Sequence, residues 1–205
     1  MASSIGEYDE LSLNEMNASL IKHAILGDLD QVRNLLQLGV NVNAQDDYGN
    51  TALMRSSYHG RLELVRELLS HEDINVNARN NNGTTALIWA SRYGHFDIVC
   101  ELLKCTKVDA NLGDRFGFTA LVLASSNDHS DVVRELLKLK NIDVNAKVND
   151  GSTSLIVASA AGHLDAVREL MKHTNVDVNA QDKRGRTSLI AASAMGHSDV
   201  ICVCC

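Results

Sequence analysis

One short segment, Gly-x-Thr-(Ala or Ser)-Leu, recurs along this chain at a constant spacing of 34 residues. A fixed period of this size indicates a stack of like units, because each unit buries its apolar face against the next. Two further markers keep the same register: an asparagine within Val-Asn-Ala or a close variant, and a Gly-His pair or a degraded form of it. The glycines of the first marker are Gly49, Gly83, Gly117, Gly151 and Gly185, and the asparagines of the second are Asn43, Asn77, Asn111, Asn145 and Asn179.

Each marker has a mechanical interpretation in a unit of two helices. Thr51 and its equivalents stand where a helix begins, and an N-cap threonine accepts a hydrogen bond from a free amide of the first turn, worth about 1 kcal/mol. The glycine of Gly-His ends this first helix. A second helix follows, and in one copy it places Leu64, Val65, Leu68 and Leu69 on one face. We expect the marker asparagine to bond backbone groups of its own connecting segment.

The segment NNGTTALIWASRYGHFDIVCELL and its counterparts resemble the ankyrin repeat, over residues 14–205. The resemblance implies an all-α solenoid, in which antiparallel helix pairs stack side by side and β-hairpin or loop fingertips project from them. This chain departs from the family pattern where Ala or Ser replaces the proline after the threonine, and where an apolar residue replaces the histidine after the leucine. Neither change threatens the fold. The expected repeats span about residues 14–45, 46–79, 80–113, 114–147, 148–181 and 182–205.

The two ends of the stack are expected to differ. Residues 1–13 are interpreted as a flexible acidic lead, and the polar first helix of the unit 14–45 as an N-terminal cap that shields the stack from water. The unit 182–205 is interpreted as truncated, because alignment with the preceding unit ends it within its second helix. We therefore expect a truncated product, a fragment, or a chain that a partner completes. A monomer is expected, with association through the uncapped C-terminal end as the alternative.

Charge and hydrophobicity limit the classes of function. The net charge of −7 argues against a nucleic-acid-binding protein, whose affinity depends on lysines and arginines that neutralise phosphates. No segment approaches the roughly 20 apolar residues that span a bilayer, and the start MASSIGEYDE lacks the pattern of a secretory signal. The five cysteines form no disulfide framework. These features predict a soluble protein of the cytoplasm, or of the cytoplasm and nucleus.

The histidines and aspartates that could act as metal ligands or catalytic residues are better explained by structural roles in the repeat. His95, His129, His163 and His197 share one repeat position, so they would lie about 10 Å apart, too far to share a zinc ion. No phosphate-binding glycine motif or nucleophile elbow is present. The aspartates of the Asp-x-x-Gly turns recur with the repeat, which indicates turn formers. We therefore predict no enzyme activity, no cofactor and no metal site.

The terminal cysteines are the feature that could change the membrane assignment. Cys202 and Cys205 match half of a redox or zinc motif, but no second pair is present. The terminal pair Cys204 and Cys205 also resembles a prenylation signal, and a lipid there would anchor the protein to a membrane. The alternative is that these cysteines are simply the end of a repeat helix. Without lipidation we expect no membrane contact.

In ankyrin repeats, binding uses the fingertips and the exposed turn of the first helix, so the resemblance implies that another protein binds to this concave side. These positions vary between the copies of this chain, while the framework positions hardly change. The candidate contact residues are Asp47, Tyr48, Asn50, Tyr58, His59, Asn81, Asn82, Thr84, Trp89, Arg92, Tyr93, Arg115, Phe116, Phe118, Asn127, Asn149, Asp150, Lys183, Arg184 and Arg186.

Aromatic residues are the strongest anchors within this set. Tyr48, Phe116 and Phe118 lie on fingertips and are expected to face solvent, with packing against a neighbouring hairpin as the alternative for the two phenylalanines. Trp89 stands where other copies have Arg55, Leu, Val or Ala. We expect Trp89 to be partly exposed on the concave side and to be the best single anchor, with a core role as the alternative.

Fingertip charge changes along the stack. It is acidic at Asp46 and Asp47 and basic at Lys183, Arg184 and Arg186. Such a gradient would orient an elongated partner whose acidic segment lies toward the last fingertips.

The expected function is protein–protein interaction, as an adaptor, a scaffold or an inhibitor that acts by occupancy. The alternative is the recognition arm of a larger enzyme, such as an ankyrin-kinase or a ubiquitin ligase, with its effector domain beyond Cys205. The resemblance also implies that marker asparagines can be substrates of an asparaginyl hydroxylase. Asn145 and Asn179 fit that pattern best, because Asp-Val precedes each and an apolar residue lies eight positions before.

Overall fold

Six consecutive helix pairs make up the described part of the chain, residues 10–204, in the computed structural model. Each pair lies one repeat after the previous one, as the spacing of the markers predicts. The helices are α1 (Glu10–Leu26), α2 (Leu29–Gln37), α3 (Ala52–Tyr58), α4 (Leu62–Leu69), α5 (Ala86–Arg92), α6 (Phe96–Lys104), α7 (Ala120–Ser126), α8 (Ser130–Leu136), α9 (Ser154–Ala161), α10 (Leu164–Met171), α11 (Ser188–Met195) and α12 (Ser198–Cys204).

The helices form two rows. The first helices of the pairs contact one another in order from α1 to α11, and the second helices do the same from α2 to α12. The second helices supply large apolar side chains to the core, such as the buried Leu64, Val65 and Leu68 of α4. Full burial of one such side chain stabilises a protein by about 1.5–3 kcal/mol. The first helices bury small side chains such as Ala90 and Ser91 of α5, which lets neighbouring helices approach closely.

The helix-start prediction is confirmed in the second to sixth units. Each marker threonine has extended backbone, and its hydroxyl oxygen accepts from the backbone N–H three residues later, as Thr85 does from Ile88 at 3.3 Å. At the other end of the first helix, Gly60 and Gly94 adopt left-handed backbone with φ of 69° and 67°. Asp128 replaces glycine at this position and keeps the same conformation, with φ of 58°.

The marker asparagines bond the next unit, and the expectation that they bond their own segment was wrong. The amide of Asn111 donates to the backbone oxygen of Asn141 at 2.7 Å, and its Oδ1 accepts from the backbone N–H of Asp143 at 2.8 Å. Asn43, Asn77 and Asn145 make the same two bonds. The side chain of each of these four marker asparagines therefore clamps two successive connecting segments.

The histidines of the Gly-His marker also join units, in the opposite direction. His95 Nε2 lies 3.1 Å from the backbone oxygen of Tyr58, and His129 Nε2 lies 3.1 Å from that of Arg92. A carbonyl oxygen only accepts, so Nε2 carries the proton. His163 and His197 repeat the contact. These four histidines therefore connect each of the third to sixth units with the unit before it.

Ion pairs run along the second helices. In two places, a glutamate accepts from an arginine of the preceding unit and from the lysine three residues later in its own unit. Cys100 occupies the corresponding arginine position before Glu135, which keeps only its lysine, Lys138. Burial and the nearby Glu135 carboxylate raise the pKa of the Cys100 thiol. The two complete triads are Arg66, Glu101 and Lys104, and Arg134, Glu169 and Lys172.

The N-terminal segment differs in part from the sequence interpretation. Helix α1 begins at Glu10, so the last four residues of the segment 1–13 are helical, while residues 1–9 lie outside the described part of the chain. One side of α1 buries Leu20, Ile21 and Ala24, and its other side is exposed, as a cap of the stack requires.

The last helix, α12, spans all but one of the positions that correspond to α10. On the neighbouring α11, Ile190 and Met195 are exposed. Cys204 and Cys205, which resemble a prenylation signal, lie outside the described part of the chain, apart from the Cys204 backbone that ends α12.

Candidate protein-binding surface

A carboxylate shapes each of three fingertips. Asp46 Oδ1 accepts from the backbone N–H groups of Tyr48 and Asn50, at 3.0 and 2.8 Å. Asp114 and Asp182 hold their own turns in the same way. In the unit between Asp46 and Asp114, the Oδ1 of Asn80 accepts the same two bonds. The prediction that these residues are turn formers is confirmed.

The fingertips are also bonded to one another. A backbone N–H of each tip from the third unit onward donates to a backbone oxygen of the tip before it, at 2.8 to 3.0 Å. Short antiparallel bridges join Gln45 to Thr51 and Gly113 to Thr119 within single tips. The tips therefore form a continuous row with fixed spacing. The donor and acceptor pairs are Asn81 and Tyr48, Arg115 and Asn82, Asn149 and Phe116, and Lys183 and Asp150.

An aromatic cluster lies at the ends of α3 and α5. The ring of Tyr58 meets that of Trp89 edge-on at 5.0 Å and that of Tyr93 at 4.7 Å. Trp89 and Tyr93 are stacked at 6.0 Å, because residues four apart share one face of a helix. The Arg92 guanidinium lies 5.9 Å from the centre of the Trp89 ring. A hydrogen bond with Tyr58 and burial raise the pKa of the Tyr93 hydroxyl.

Two open pockets lie side by side between the fingertips and the first helices, and Trp89 and Asn82 line both. We call this pair of pockets the inner groove. The first pocket, of about 270 Å³, is lined by Tyr48, Asn50, Arg55, Tyr58, Asn80, Asn82 and Trp89. The second, of about 420 Å³, is lined by Asn82, Thr84, Trp89, Arg92, Asp114, Phe116, Phe118, Leu123, Ser126 and Asn127.

Most of the predicted contact residues are exposed. Tyr48 exposes 71% of its surface and Phe116 exposes 46%, whereas Phe118 and Trp89 are half-buried. Trp89 therefore has the partial exposure that its position predicts. The other exposed members are Asp47, His59, Asn81, Asn82, Arg92, Tyr93, Arg115, Asn127, Asn149, Asp150, Lys183 and Arg184.

Two predicted contact residues are interior. Asn50 is 5% exposed and Thr84 is 6% exposed, so each offers a partner little surface. The Oδ1 of Asn50 accepts from the Asn80 amide at 2.8 Å, which joins the bases of two fingertips. Sequence comparison between copies found these positions variable, but variability alone does not separate a surface residue from a buried polar contact.

Ion pairs within the tips reduce the predicted charge gradient. Arg55 donates to Asp46 at 2.6 and 3.0 Å, and Arg186 donates to Asp182 at 2.7 Å. Burial raises the pKa of the Asp46 carboxyl, but hydrogen bonds from Arg55 and from backbone amides outweigh it and leave this pKa below its ordinary value. The charges left for a partner are those of Asp47 at one end and of Lys183 and Arg184 at the other.

The two asparagines predicted as hydroxylation substrates differ in their surroundings. The Asn145 side chain is engaged by Asn175 and Asp177 of the next connecting segment. Asn179 is exposed, and within residues 10–204 its side chain makes no corresponding bond.

The described residues place limits on other kinds of site. No three His, Cys, Asp or Glu side chains among them lie close enough together to hold a metal ion. In the same part of the chain, no helix has the length and apolar character needed to cross a lipid bilayer.

Stacked helix pairs of constant period, joined by a row of projecting tips, define a helical repeat protein of the solenoid class. The chain belongs to the ankyrin repeat family. The family described as ankyrin repeats (3 copies) matches residues 20–114, 80–148, 100–182 and 121–203. Ankyrin repeats form protein-interaction modules, and this chain is such a module.

Solved structures and one curated relative resemble the chain. The ankyrin repeat protein EF0377 matches with a TM-score of 0.83 and 26% identity, over 91% of this chain and 96% of that one. An ankyrin repeat domain from Acinetobacter baumannii AYE, ABAYE2397, matches with a TM-score of 0.81 and 26% identity, over 91% and 95%. The DNA replication inhibitor plutonium of Drosophila melanogaster is 42% identical over 53 residues, which are 26% of this chain and 30% of that protein.

Proposed function

We propose that the chain binds a segment of another protein in the inner groove and acts as an adaptor, scaffold or inhibitor by occupancy, without catalysis. The observation that carries this proposal is the position of Trp89. Its ring lies between two open pockets, packs on Tyr58 and Tyr93, and keeps part of its surface exposed. Large aromatic side chains in partly closed pockets dominate many binding energies.

The groove is also preorganised for binding. The fingertips are joined by backbone hydrogen bonds, and the aromatic rings hold one another in place. A partner that docks here therefore orders few groups of this chain, which leaves more of the contact energy for affinity.

The test compares proteins retained by three immobilised forms of the chain. One form is native, one carries Trp89→Ala with Phe116→Ala, and the control carries Leu38→Ala. Leu38 is also a large exposed apolar residue, but it ends α2, away from the groove. We expect proteins that the native and control forms retain and the groove variant releases. Equal retention by all three forms would discard the proposal.

The remaining tip charges support a direction for the partner segment. We propose that its acidic segment lies near Lys183 and Arg184. Changing both residues to Glu should slow association and weaken its dependence on salt, because the attraction that steers encounter is lost. Arg186 is left unchanged, since it is bonded within its own turn. Association kinetics that stay the same at several salt concentrations would contradict this orientation.

A further inference from the structure

Two fingertip aspartates hold an arginine of this chain with the same atom. Asp46 Oδ2 accepts from the Arg55 side chain at 2.6 Å, and Asp182 Oδ2 accepts from the Arg186 side chain at 2.7 Å. In both tips Oδ1 is already used by two backbone N–H groups of the turn. The turn therefore fixes the carboxylate so that Oδ2 points to a guanidinium.

Asp114 has the same turn but no arginine. Its Oδ1 accepts from the backbone N–H groups of Phe116 and Phe118, both at 2.9 Å. The position that corresponds to Arg55 is Leu123, and the position that corresponds to Arg186 is Phe118. Within residues 10–204, Asp114 Oδ2 has no ion pair or hydrogen bond to another side chain. The chain thus builds the carboxylate end of the pair here and does not supply the cation.

The surroundings of Asp114 suit an arginine side chain. Asp114 lines the larger pocket of the inner groove together with Trp89, Phe116, Phe118 and Leu123. A guanidinium stacks well on aromatic faces, and its methylene stem packs on apolar groups. In the smaller pocket, Arg55 of this chain lies among the same kinds of side chain. The two pockets are successive copies of one groove, and the residue of the smaller pocket that corresponds to Asp114 is Asn80, a neutral amide that donates to Asn50, so only the larger pocket presents a carboxylate.

We infer that the larger pocket binds one arginine side chain of the partner segment, through Asp114 Oδ2, in the way that Arg55 binds Asp46. The inference rests on the proposed function, because it names the chemistry of the ligand in the same groove. Arg92 sets a further limit. It lines the same pocket and makes no ion pair among the described residues, so its charge opposes any cation there; the single Asp114 carboxylate can offset this for one arginine but not for a second cation. The preferred ligand carries a single arginine with apolar or acidic neighbours.

The test is a random short-peptide library displayed on phage and selected on the whole native chain. We expect peptides with one arginine at a fixed position, and we expect Trp89→Ala to lose them. The same peptides should bind Asp114→Asn about tenfold more weakly, since a charge-assisted hydrogen bond is lost. This variant keeps its fold by precedent within the chain, because Asn80 holds the corresponding turn with its Oδ1. Asp97→Asn, on an exposed acid in the first turn of α6 that lines neither pocket of the inner groove, is the matched control and should bind normally.

A titration makes the arginine itself the variable. Trp89 is the sole tryptophan of the chain, so its fluorescence reports on the groove directly. A selected peptide whose arginine is replaced by the neutral isostere citrulline should bind the native chain about tenfold more weakly and should bind Asp114→Asn with little difference from the parent peptide. Leu123→Arg should abolish the arginine preference, because the chain then supplies its own cation.

The outcomes separate two kinds of failure. Peptides that depend on Trp89 but carry no enriched arginine, or that bind Asp114→Asn as tightly as the native chain, would overturn the inference and leave the proposed function standing. Selected peptides that bind Trp89→Ala unchanged, or no selected peptides at all, would count against the groove as the binding site and against both proposals.

Discussion

Removal of the Asn111 side chain tests how the units are held together. Asn111→Ala deletes two hydrogen bonds, of 2.7 and 2.8 Å, that join the third connecting segment to the fourth. Each such bond contributes about 1 kcal/mol net, and the backbone groups left behind are near the surface, where water replaces part of the loss. We therefore expect the free energy of unfolding to fall by about 2 kcal/mol.

The measurement is urea denaturation followed by helical circular dichroism, with Asn179→Ala as the matched control. Asn179 has the same place in its unit and, among the described residues, makes neither bond to a following segment. Its replacement should change stability by only a few tenths of a kcal/mol. A broadened transition for Asn111→Ala would fit uncoupling of the stack at one interface. Equal losses for the two variants would refute a role between units and would place the effect within the asparagine's own segment.

Three further predictions concern the stability of the helix stack. Gly94→Ala should destabilise the fold by about 2–3 kcal/mol, because a Cβ at this left-handed residue would meet the imidazole of His129 in the next unit at 2.5 Å. Gly196 is also left-handed but has nothing within 4 Å of a Cβ, so Gly196→Ala should lose only about 1 kcal/mol. Thermal or urea unfolding measures both. Cys100→Arg should add the missing arginine to the pair of Glu135 and Lys138 and stabilise by about 0.5 kcal/mol or less. A loss of stability would contradict the role of these ion pairs along the second helices. Hydrogen bonds from arginine and lysine lower the pKa of Glu169, so its carboxylate stabilises the fold at neutral pH and this contribution is lost as pH falls below about 4.5 toward the folded pKa. The stability deficit of Glu169→Gln should therefore shrink on acidification, and a deficit that is independent of pH would exclude the ionic cause.

The elements that sequence predicts well are those set by local chemistry. The threonine at the start of a first helix meets an amide three residues away, and the aspartate of a fingertip meets amides two and four residues away. Such contacts depend on neighbours in the chain, so their residue types show directly in the repeat. The helix pairs, their order and their period therefore follow from the sequence.

The contacts between units are less visible in the sequence. The bonds of Asn111 reach residues 30 and 32 positions away, so nothing in its own segment distinguishes them from local ones. The aromatic cluster combines Tyr58 of one unit with Trp89 and Tyr93 of the next, although these residues stand at different repeat positions. Spacing places each of them in or at the end of a first helix, and only the stacking of the units brings their rings together.

The constant sequence separation between hydrogen-bonded residues of neighbouring units also governs how such a chain can change its length. Asparagine clamps, histidine contacts and fingertip bonds each link one unit with its neighbour at a constant offset. Duplication or loss of one whole 34-residue segment would leave every donor facing an acceptor of the usual kind, whereas a shift of a few residues would misalign all three sets together. These bonds therefore tolerate growth of the molecule in whole modules, and each added module would lengthen the row of fingertips by one.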